Sequence, residues 1–298
     1  MNRREFLASA SAGLALATHP SANATPTAKQ HKICAFTKPF NSLSFDQLTE
    51  QMALIGFDGI EAPIRPGGHV EPKQVPDKLP ELVEALKKQN LELTVLASNI
   101  NDASRPLTES VLKTAAKLGI KRYRMQYFKY DLKKPIKPQI ENWKSQVREL
   151  AALNKELGLT GLYQNHAGRN YLGAAIWDLP MLLDGIDPAH IGVAYDIRHA
   201  TVEGGTSWPV SFQMVQPHIS MVYVKDFQWG EGTKPENVPL GQGRIDATQF
   251  LKLLSKSGYN GPISLHEEYL DHRKPDLVPQ HLAAFKKDLG VLKAWLAK

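Results

Sequence analysis

Asp196 and His199 are two residues of this sequence whose types and spacing could do chemistry. They follow residues 191–195, a short apolar run with β-branched and aromatic residues that is typical of a buried strand. An Asp and a His three residues apart at a strand end could bind one metal ion, or one could bind a metal while the other binds substrate. The alternative is that Asp196 caps the next helix and His199 forms a hydrogen bond with a loop.

Polar side chains at other predicted strand ends fall on the same face, because successive residues of a strand alternate between its two faces. In the last predicted strand, apolar Ile263 and Leu265 should pack outward against helices, so His266 and Glu268 point inward. The carboxyl ends of parallel strands meet at one end of a barrel, where active sites are built. The ten residues that these positions place there are Glu61, Arg124, Gln126, Gln164, His166, Asp196, His199, Lys225, His266 and Glu268.

The elements that must position these residues alternate along the chain. The predicted strands are 33–36, 57–61, 91–97, 123–128, 160–163, 191–195, 219–224 and 262–265. The predicted helices are 44–55 with Ser44 as N-cap, 78–88, 107–118, 140–157, 174–183, 207–217 broken at Pro209, 247–257 and 277–296. A long glycine-containing loop should follow the seventh strand. Eight strand–helix units predict an α/β fold, a single (β/α)8 barrel, and no Gly-rich dinucleotide turn follows the first strand.

Composition and charge are those of an ordinary soluble domain. Of 298 residues, 42% are hydrophobic and 22% are charged, and the net charge of +6 is scattered rather than gathered in runs, which argues against a nucleic-acid partner. Cys34 is the only cysteine, so no internal disulfide can form. We expect Cys34 to be a small core residue.

The first residues have the pattern of an export signal. Residues 3–7 resemble the twin-arginine motif, and residues 8–17 form an apolar run that is too short and weak for a stable membrane span. Residues 22–24 fit a cleavage site. We therefore expect residues 1–24 to be a signal peptide, residues 25–298 to form the barrel domain, and the protein to be periplasmic or otherwise exported.

The barrel motifs resemble those of the sugar phosphate isomerase/epimerase family, the xylose isomerase-like TIM barrels, over nearly all of the predicted domain. The segments that carry the resemblance are 56–61, 164–166, 196–199, 224–226, 241–246 and 258–264. Many members of that family hold one divalent metal with a Glu on strand five, an Asp on strand six, a His on strand seven and a Glu on strand eight. Asp196 matches the second ligand, and His199 matches a substrate-binding His.

Three positions depart from the family's ligand pattern. Gln164 stands where the first Glu is usual, Tyr223 where the His is usual, and His266 where the last Glu is usual. Glu268 lies two residues further on the same face and could replace that Glu. The resemblance implies one divalent ion, Mn²⁺, Zn²⁺, Mg²⁺ or Fe²⁺, with ligands drawn from Gln164, Asp196, His266 and Glu268.

The resemblance and the polar residues predict an enzyme that removes a proton next to the carbonyl of a small-molecule sugar or keto-sugar, as an isomerase or epimerase. The alternatives are a keto-sugar lyase or hydratase, a site in which Lys225 and Arg124 replace a lost metal, and a non-catalytic carbohydrate-binding barrel. The predicted catalytic residues are Glu268, His199, Lys225 and His166. The predicted substrate-binding residues are Glu61, Arg124, Gln126 and Asn165.

Overall fold

Eight parallel strands close into one barrel in a computed structural model that describes residues 31–297. The barrel strands are β1 (Ile33–Phe36), β2 (Gly59–Pro63), β3 (Glu92–Ala97), β4 (Arg122–Arg124), β5 (Thr160–Gln164), β6 (Ile191–Asp196), β7 (Ile219–Val224) and β10 (Ile263–Leu265). Neighbours in the chain are neighbours in the barrel, and β10 pairs with β1 to close it. The predicted (β/α)8 barrel is confirmed. The predicted signal peptide lies outside the described residues.

Helices follow the strands and pack around the barrel. They are α1 (Phe45–Ile55), α2 (Val75–Lys88), α3 (Thr108–Lys117), α4 (Ile136–Leu157), α5 (Leu179–Leu183), α6 (Ile197–Gly204), α7 (Trp208–Val215), α8 (Ala247–Lys256) and α9 (Val278–Leu296). Ser44 is the N-cap of α1, as predicted: its Oγ accepts the Gln47 backbone N–H at 3.3 Å, and the Gln47 side chain accepts the Ser44 N–H at 3.0 Å. No helix of residues 31–297 is both long enough and apolar enough to cross a membrane.

The segment after β6 differs from the prediction of one broken helix. Helix α6 begins directly after Asp196, and α7 begins at Trp208. Pro209 lies in the first turn of α7, where its missing N–H has no intrahelical partner to lose. Pro209 therefore starts a helix here rather than breaking one.

The glycine-containing segment after β7 is not the irregular loop that was predicted. It contains an antiparallel hairpin, β8 (Asp226–Trp229) with β9 (Pro235–Val238). The Asp226 carboxylate accepts the backbone N–H groups of Gly241, Gly243 and Ile245 at 3.0–3.2 Å. A Cβ at Gly243 would meet Asp226 Oδ1 at 2.2 Å, so only glycine fits there. These contacts hold the hairpin at the carboxyl end of the barrel.

The core has an inner and an outer part. The inner cluster consists of Cys34, Val95, Leu162, Ala194, Met221 and Tyr223. Cys34 is 1% exposed and burial raises its pKa, which confirms the predicted core role. Ile263 and Leu265 belong to the outer cluster that packs against the helices, as the strand alternation predicts. His266 is therefore free to face inward.

Candidate active site

Polar side chains gather at the carboxyl end of the barrel, where the strands end. The predicted site residues that contact one another there are Glu61, Arg124, Gln164, His166, Asp196, His199, Lys225, His266 and Glu268. Gln126 is not among them, because its side chain is exposed. Strand β4 ends at Arg124, so the alternation that placed residue 126 on the inner face does not reach it.

Lys225 joins two carboxylates at the ends of β6 and β10. Its Nζ lies 2.7 Å from Glu268 Oε2 and 3.3 Å from Asp196 Oδ2, and the lysine side chain is 4% exposed. Burial would lower the pKa of Lys225, but the two carboxylates outweigh burial and raise it. Burial would raise the pKa of Glu268, but Lys225, together with His266 and Lys38, outweighs burial and holds this pKa well below its usual range. Both groups are therefore charged at neutral pH.

Asp196 is fixed on both sides by backbone and side-chain contacts. Its Oδ1 accepts the backbone N–H of His199 at 3.0 Å, which caps α6. Asn165 braces its backbone, because the Asn165 Oδ1 accepts the Asp196 N–H at 2.8 Å and the Nδ2 donates to the Asp196 carbonyl at 3.0 Å. Asn165 thus positions Asp196 through its backbone.

Glu61 forms a second ionic group, on the β2 side of the barrel. Its side chain has no exposed surface, and it accepts hydrogen bonds from Ser264 Oγ at 2.7 Å and His266 Nε2 at 3.0 Å. Arg124 Nη1 lies 3.1 Å from Glu61 Oε1, and its guanidinium carbon lies 4.7 Å from the centre of the Phe36 ring. Burial would raise the pKa of Glu61, but Arg124 and His266 outweigh burial and lower it to about 2.

Gln164 connects the two ionic groups. Its Oε1 accepts hydrogen bonds from Arg124 Nη1 at 3.2 Å and from the Tyr127 hydroxyl at 2.6 Å. Its Nε2 donates to Asp196 Oδ2 at 2.8 Å. A carboxylate could not make that donation, and it would repel Asp196 at this distance. The arrangement therefore requires an amide at the position where a Glu is usual in the family.

His199 is a neutral imidazole whose tautomer follows from its partners. Arg198 Nη1, which can only donate, lies 3.1 Å from His199 Nδ1, so Nδ1 must accept. Burial and nearby cations hold the pKa of His199 well below its usual range, so the ring carries its one proton on Nε2. That Nε2 lies 3.5 Å from Asp196 Oδ2. His199 therefore presents an N–H group to the carboxylate.

His166 has the opposite tautomer. Its Nδ1 lies 2.8 Å from the carbonyl oxygen of Ala167, which can only accept, so Nδ1 carries the proton. Burial, with Lys225 adding to it, lowers the pKa of His166 to about 4, so the ring is neutral at pH 7 and Nε2 has a lone pair. The His166 and His199 rings are in contact in a tilted arrangement, with 4.1 Å between their centres and 37° between their planes. His166 is half-buried and Glu268 is 26% exposed, so both can be reached from solvent.

Tyr127 and Arg198 belong to the site but are not among the sequence predictions. Tyr127 packs against His166 at 4.9 Å between ring centres, and its hydroxyl fixes Gln164. It lies beyond the true end of β4, so strand alternation could not identify it. Arg198 also donates to the Pro235 carbonyl of the β8–β9 hairpin at 3.3 Å. Its only signal in the sequence is its position between Asp196 and His199.

The donor set does not fit a divalent metal. The part of the chain from residue 31 to 297 contains no group of three or more His, Cys, Asp or Glu side chains that could hold a metal ion. An ammonium already lies between Asp196 and Glu268, two of the predicted ligands. Gln164 Oε1 accepts two hydrogen bonds, and His266 Nε2 is bound to a carboxylate.

Solved structures with the same fold include sugar epimerases and a dehydratase. A D-psicose 3-epimerase from Clostridium cellulolyticum H10, solved with D-tagatose, is 15% identical with a TM-score of 0.68, covering 89% of this chain and 99% of that one. A 3-keto-D-glucoside 4-epimerase from E. coli is 16% identical with a TM-score of 0.65, covering 90% and 99%. A probable 3-DHS dehydratase of petrobactin synthesis from Bacillus anthracis is 15% identical with a TM-score of 0.67, covering 88% and 98%. At these identities the likeness concerns the fold.

Sequence comparison identifies the family. An uncharacterized protein of Methanocaldococcus jannaschii is 27% identical over 131 residues, which are 43% of this chain and 44% of that protein. The match thus spans less than half of that relative. The model of a family described as a xylose isomerase-like TIM barrel matches residues 50–295, which include every barrel strand after β1. The chain belongs to the xylose isomerase-like TIM barrel family.

Proposed function

We propose that this protein is an isomerase or epimerase that removes a proton next to the carbonyl of a sugar or keto-sugar. The observation that carries the proposal is the placement of two accessible proton acceptors, His166 and Glu268, on either side of the buried Lys225 ammonium. They follow β5 and β10, which are separated in the barrel by β6 and β7. Enolisation of a sugar needs a base at the carbon and a positive charge at the oxygen.

His166 is the base for the carbon. Its Nε2 takes the proton as the C–H bond breaks, and the electron pair moves into the carbonyl to give an enediolate. The pKa of His166, about 4, leaves this nitrogen unprotonated at neutral pH. Return of the proton from His166 to the neighbouring carbon gives the isomer, whereas formation of the epimer requires a proton donor on the opposite face of the same carbon.

Glu268 handles the hydroxyl proton rather than the carbon proton. Its ion pair with Lys225 at 2.7 Å makes it a weaker base than His166, because the ammonium stabilises the ionised carboxylate. A weak carboxylate base suits transfer of a proton between the two enediolate oxygens. His166 and Glu268 are both unprotonated in the free enzyme, so neither supplies the proton that epimerisation requires on the second face of the carbon. This combination therefore favours isomerisation.

Lys225 and Arg124 supply the positive charge that a divalent metal would otherwise bring. Lys225 stabilises the enediolate oxygen, since its charge is kept by Asp196 and Glu268. Arg124 is held by Glu61 and Gln164 and keeps its charge for the same reason. His199 and Asn165 are positioning residues, because they contact Asp196.

A lyase reaction fits the site less well, although a dehydratase shares the fold. Loss of a hydroxyl group needs a donor that protonates it. Lys225, whose pKa is raised, is a poor acid, and so is the neutral His199. Isotope exchange together with identification of the product separates these reactions.

Isotope exchange tests the proposed function. The protein is incubated in D₂O with D-fructose, D-psicose, D-tagatose and 3-ketoglucosides, and proton NMR follows loss of the C–H signal and formation of an isomer. His166→Gln should lower exchange by about 10²–10⁴-fold, the usual contribution of a general base. His190→Gln is the matched control, because His190 directly precedes β6 at the opposite end of the barrel.

Three results would contradict the proposal. Full exchange in His166→Gln would exclude His166 as the base. Formation of an unsaturated product would identify a lyase, and sugar binding without any exchange across the panel would indicate a non-catalytic carbohydrate-binding barrel.

A further inference from the structure

Two cationic side chains at the rim of the barrel have no partner in the site described above. Lys38 follows β1 and Arg65 follows β2, both are half-buried, and both line one cavity of about 360 Å³. Among residues 31–297 neither side chain has a carboxylate oxygen within 4.0 Å or a hydrogen-bond partner. Charged groups that are partly removed from water are normally paired. These two are not.

The neighbouring carboxylates do not supply the missing charge. Glu61 is matched to Arg124, and Asp196 and Glu268 share Lys225. That sharing leaves one negative charge against the two rim cations, so this side of the site is net positive.

The surroundings of the rim cations show the same imbalance. Burial lowers the pKa of Lys38, and Arg65 with other cations adds to this against the opposing effect of Glu268. Burial and Arg124 likewise lower the pKa of Arg65. Two positive charges are therefore held near each other without an anion. A bound anion would reduce the resulting electrostatic repulsion.

Two other polar groups of the cavity are already paired. Arg273 is bound to Asp271 through two hydrogen bonds of 2.8 Å and 3.1 Å. Asn41 donates to the Gly67 carbonyl at 2.9 Å. Among residues 31–297, Lys38 and Arg65 are therefore the two cationic side chains of this cavity that lack an ionic partner.

We propose that the substrate carries an anionic group, a carboxylate or a phosphate, and that Lys38 and Arg65 bind it. This inference rests on the proposed function, since it concerns the same sugar. A guanidinium can donate hydrogen bonds to two oxygens of such a group, and an ammonium can form a further ionic contact with it. The charges of Glu268 and Arg124 contribute to the pKa values of both Lys38 and Arg65, so the rim cations lie near the site residues. An anion bound by Lys38 and Arg65 would therefore lie close to the reacting carbon.

Binding of three simple probes tests the proposal: D-glucuronate for the carboxylate, D-glucose 6-phosphate for the phosphate, and D-glucose as the neutral sugar. Isothermal titration at low salt is done with the wild type, with Lys38→Met/Arg65→Met, and with the control Lys121→Met/Arg148→Met. The control removes the same two charges from exposed positions elsewhere. We expect at least one anionic probe to bind the wild type about tenfold or more tightly than D-glucose, and the tighter probe identifies the group.

The double rim variant should lose this preference, and the control should keep it. Raising the salt concentration should weaken the anionic probe alone, because screening acts on charges. Equal binding of all three probes to the wild type would overturn the proposal, and so would an unchanged preference in the rim variant. Since binding needs no turnover, the same titration with His166→Gln separates failure of the anion site from failure of the proposed reaction.

Discussion

Asp196 caps the helix that carries His199 and also binds the ammonium of Lys225, with one oxygen for each task. Its Oδ1 accepts the His199 backbone N–H at 3.0 Å, and its Oδ2 lies 3.3 Å from Lys225 Nζ. The interpretation of Asp196 as the cap of the next helix is therefore confirmed, whereas metal or substrate binding by Asp196 and His199 stays a prediction. The cap fixes the carboxylate, so Oδ2 has little freedom to leave the site.

Substitution of Asp196 should separate the two tasks. Asparagine caps a helix about as well as aspartate, whereas alanine does not. We expect Asp196→Asn to lose turnover through the lost charge, and Asp196→Ala to have a free energy of unfolding about 1 kcal/mol lower than the Asn variant. Urea unfolding measures the difference. Equal stability of the two variants would show that the cap contributes nothing.

The acid side of the pH–rate profile should report His166. Burial, with Lys225 adding to it, lowers its pKa to about 4, so the Nε2 lone pair is present above that pH and is lost as the pH falls through it. We expect kcat/KM to be flat down to about pH 5 and to fall about tenfold per pH unit below about pH 4. Circular dichroism over the same range controls for unfolding. An acid limb with its midpoint near pH 6.5, the ordinary pKa of histidine, would contradict the assignment of this limb to His166.

Most of the fold is predictable because strand and helix periods are local properties of the sequence. Ser44 caps α1 as expected, and β1 and β7 have the predicted bounds. Strand β4 ends four residues before its predicted end. The predicted strand is too long because Met125 and Phe128, which are buried in the segment after the strand, continue its apolar pattern. The β8–β9 hairpin is not predicted, because the glycines of this segment are also typical of irregular loops.

The site is predictable to the level of which end of the barrel each residue occupies. Alternation places His266 at the same end as Glu61 but does not reveal that they pair with each other. Partner choice depends on distances across the barrel, which no local pattern contains. Tyr127 and Lys38 follow strand ends outside the alternating pattern, so only the three-dimensional structure identifies them.

Export is a prediction that rests on residues outside the described part of the chain. Arg3, Arg4 and the cleavage pattern at residues 22–24 predict twin-arginine transport and removal of residues 1–24. Replacement of both arginines by lysine should keep the full-length protein in the cytoplasm. Cell fractionation with N-terminal sequencing measures this. Mature protein outside the cytoplasm in that variant would refute the prediction.

Chelation should leave the wild-type enzyme active. Lys225 occupies the space between Asp196 and Glu268, so the charge at the reacting oxygen comes from the protein itself. We expect unchanged turnover after dialysis against EDTA, with metal content followed by mass spectrometry. Loss of activity that Mn²⁺ restores would instead support the divalent metal predicted from the family resemblance.

Lys225→Met should lower turnover and should increase the affinity of the site for Mn²⁺. The substitution keeps most of the side-chain volume, removes the ammonium and should lower turnover by about 10²–10³-fold, as loss of one oxyanion donor does. It also leaves Asp196 and Glu268 without their shared cation, so the pKa of Glu268 should rise and the two carboxylates should bind Mn²⁺ more tightly than in the wild type. Titration with Mn²⁺ measures this gain, and Lys121→Met, exposed beside the amino end of β4, is the control. Wild-type turnover in Lys225→Met would show that another group stabilises the enediolate, whatever the variant's affinity for the metal.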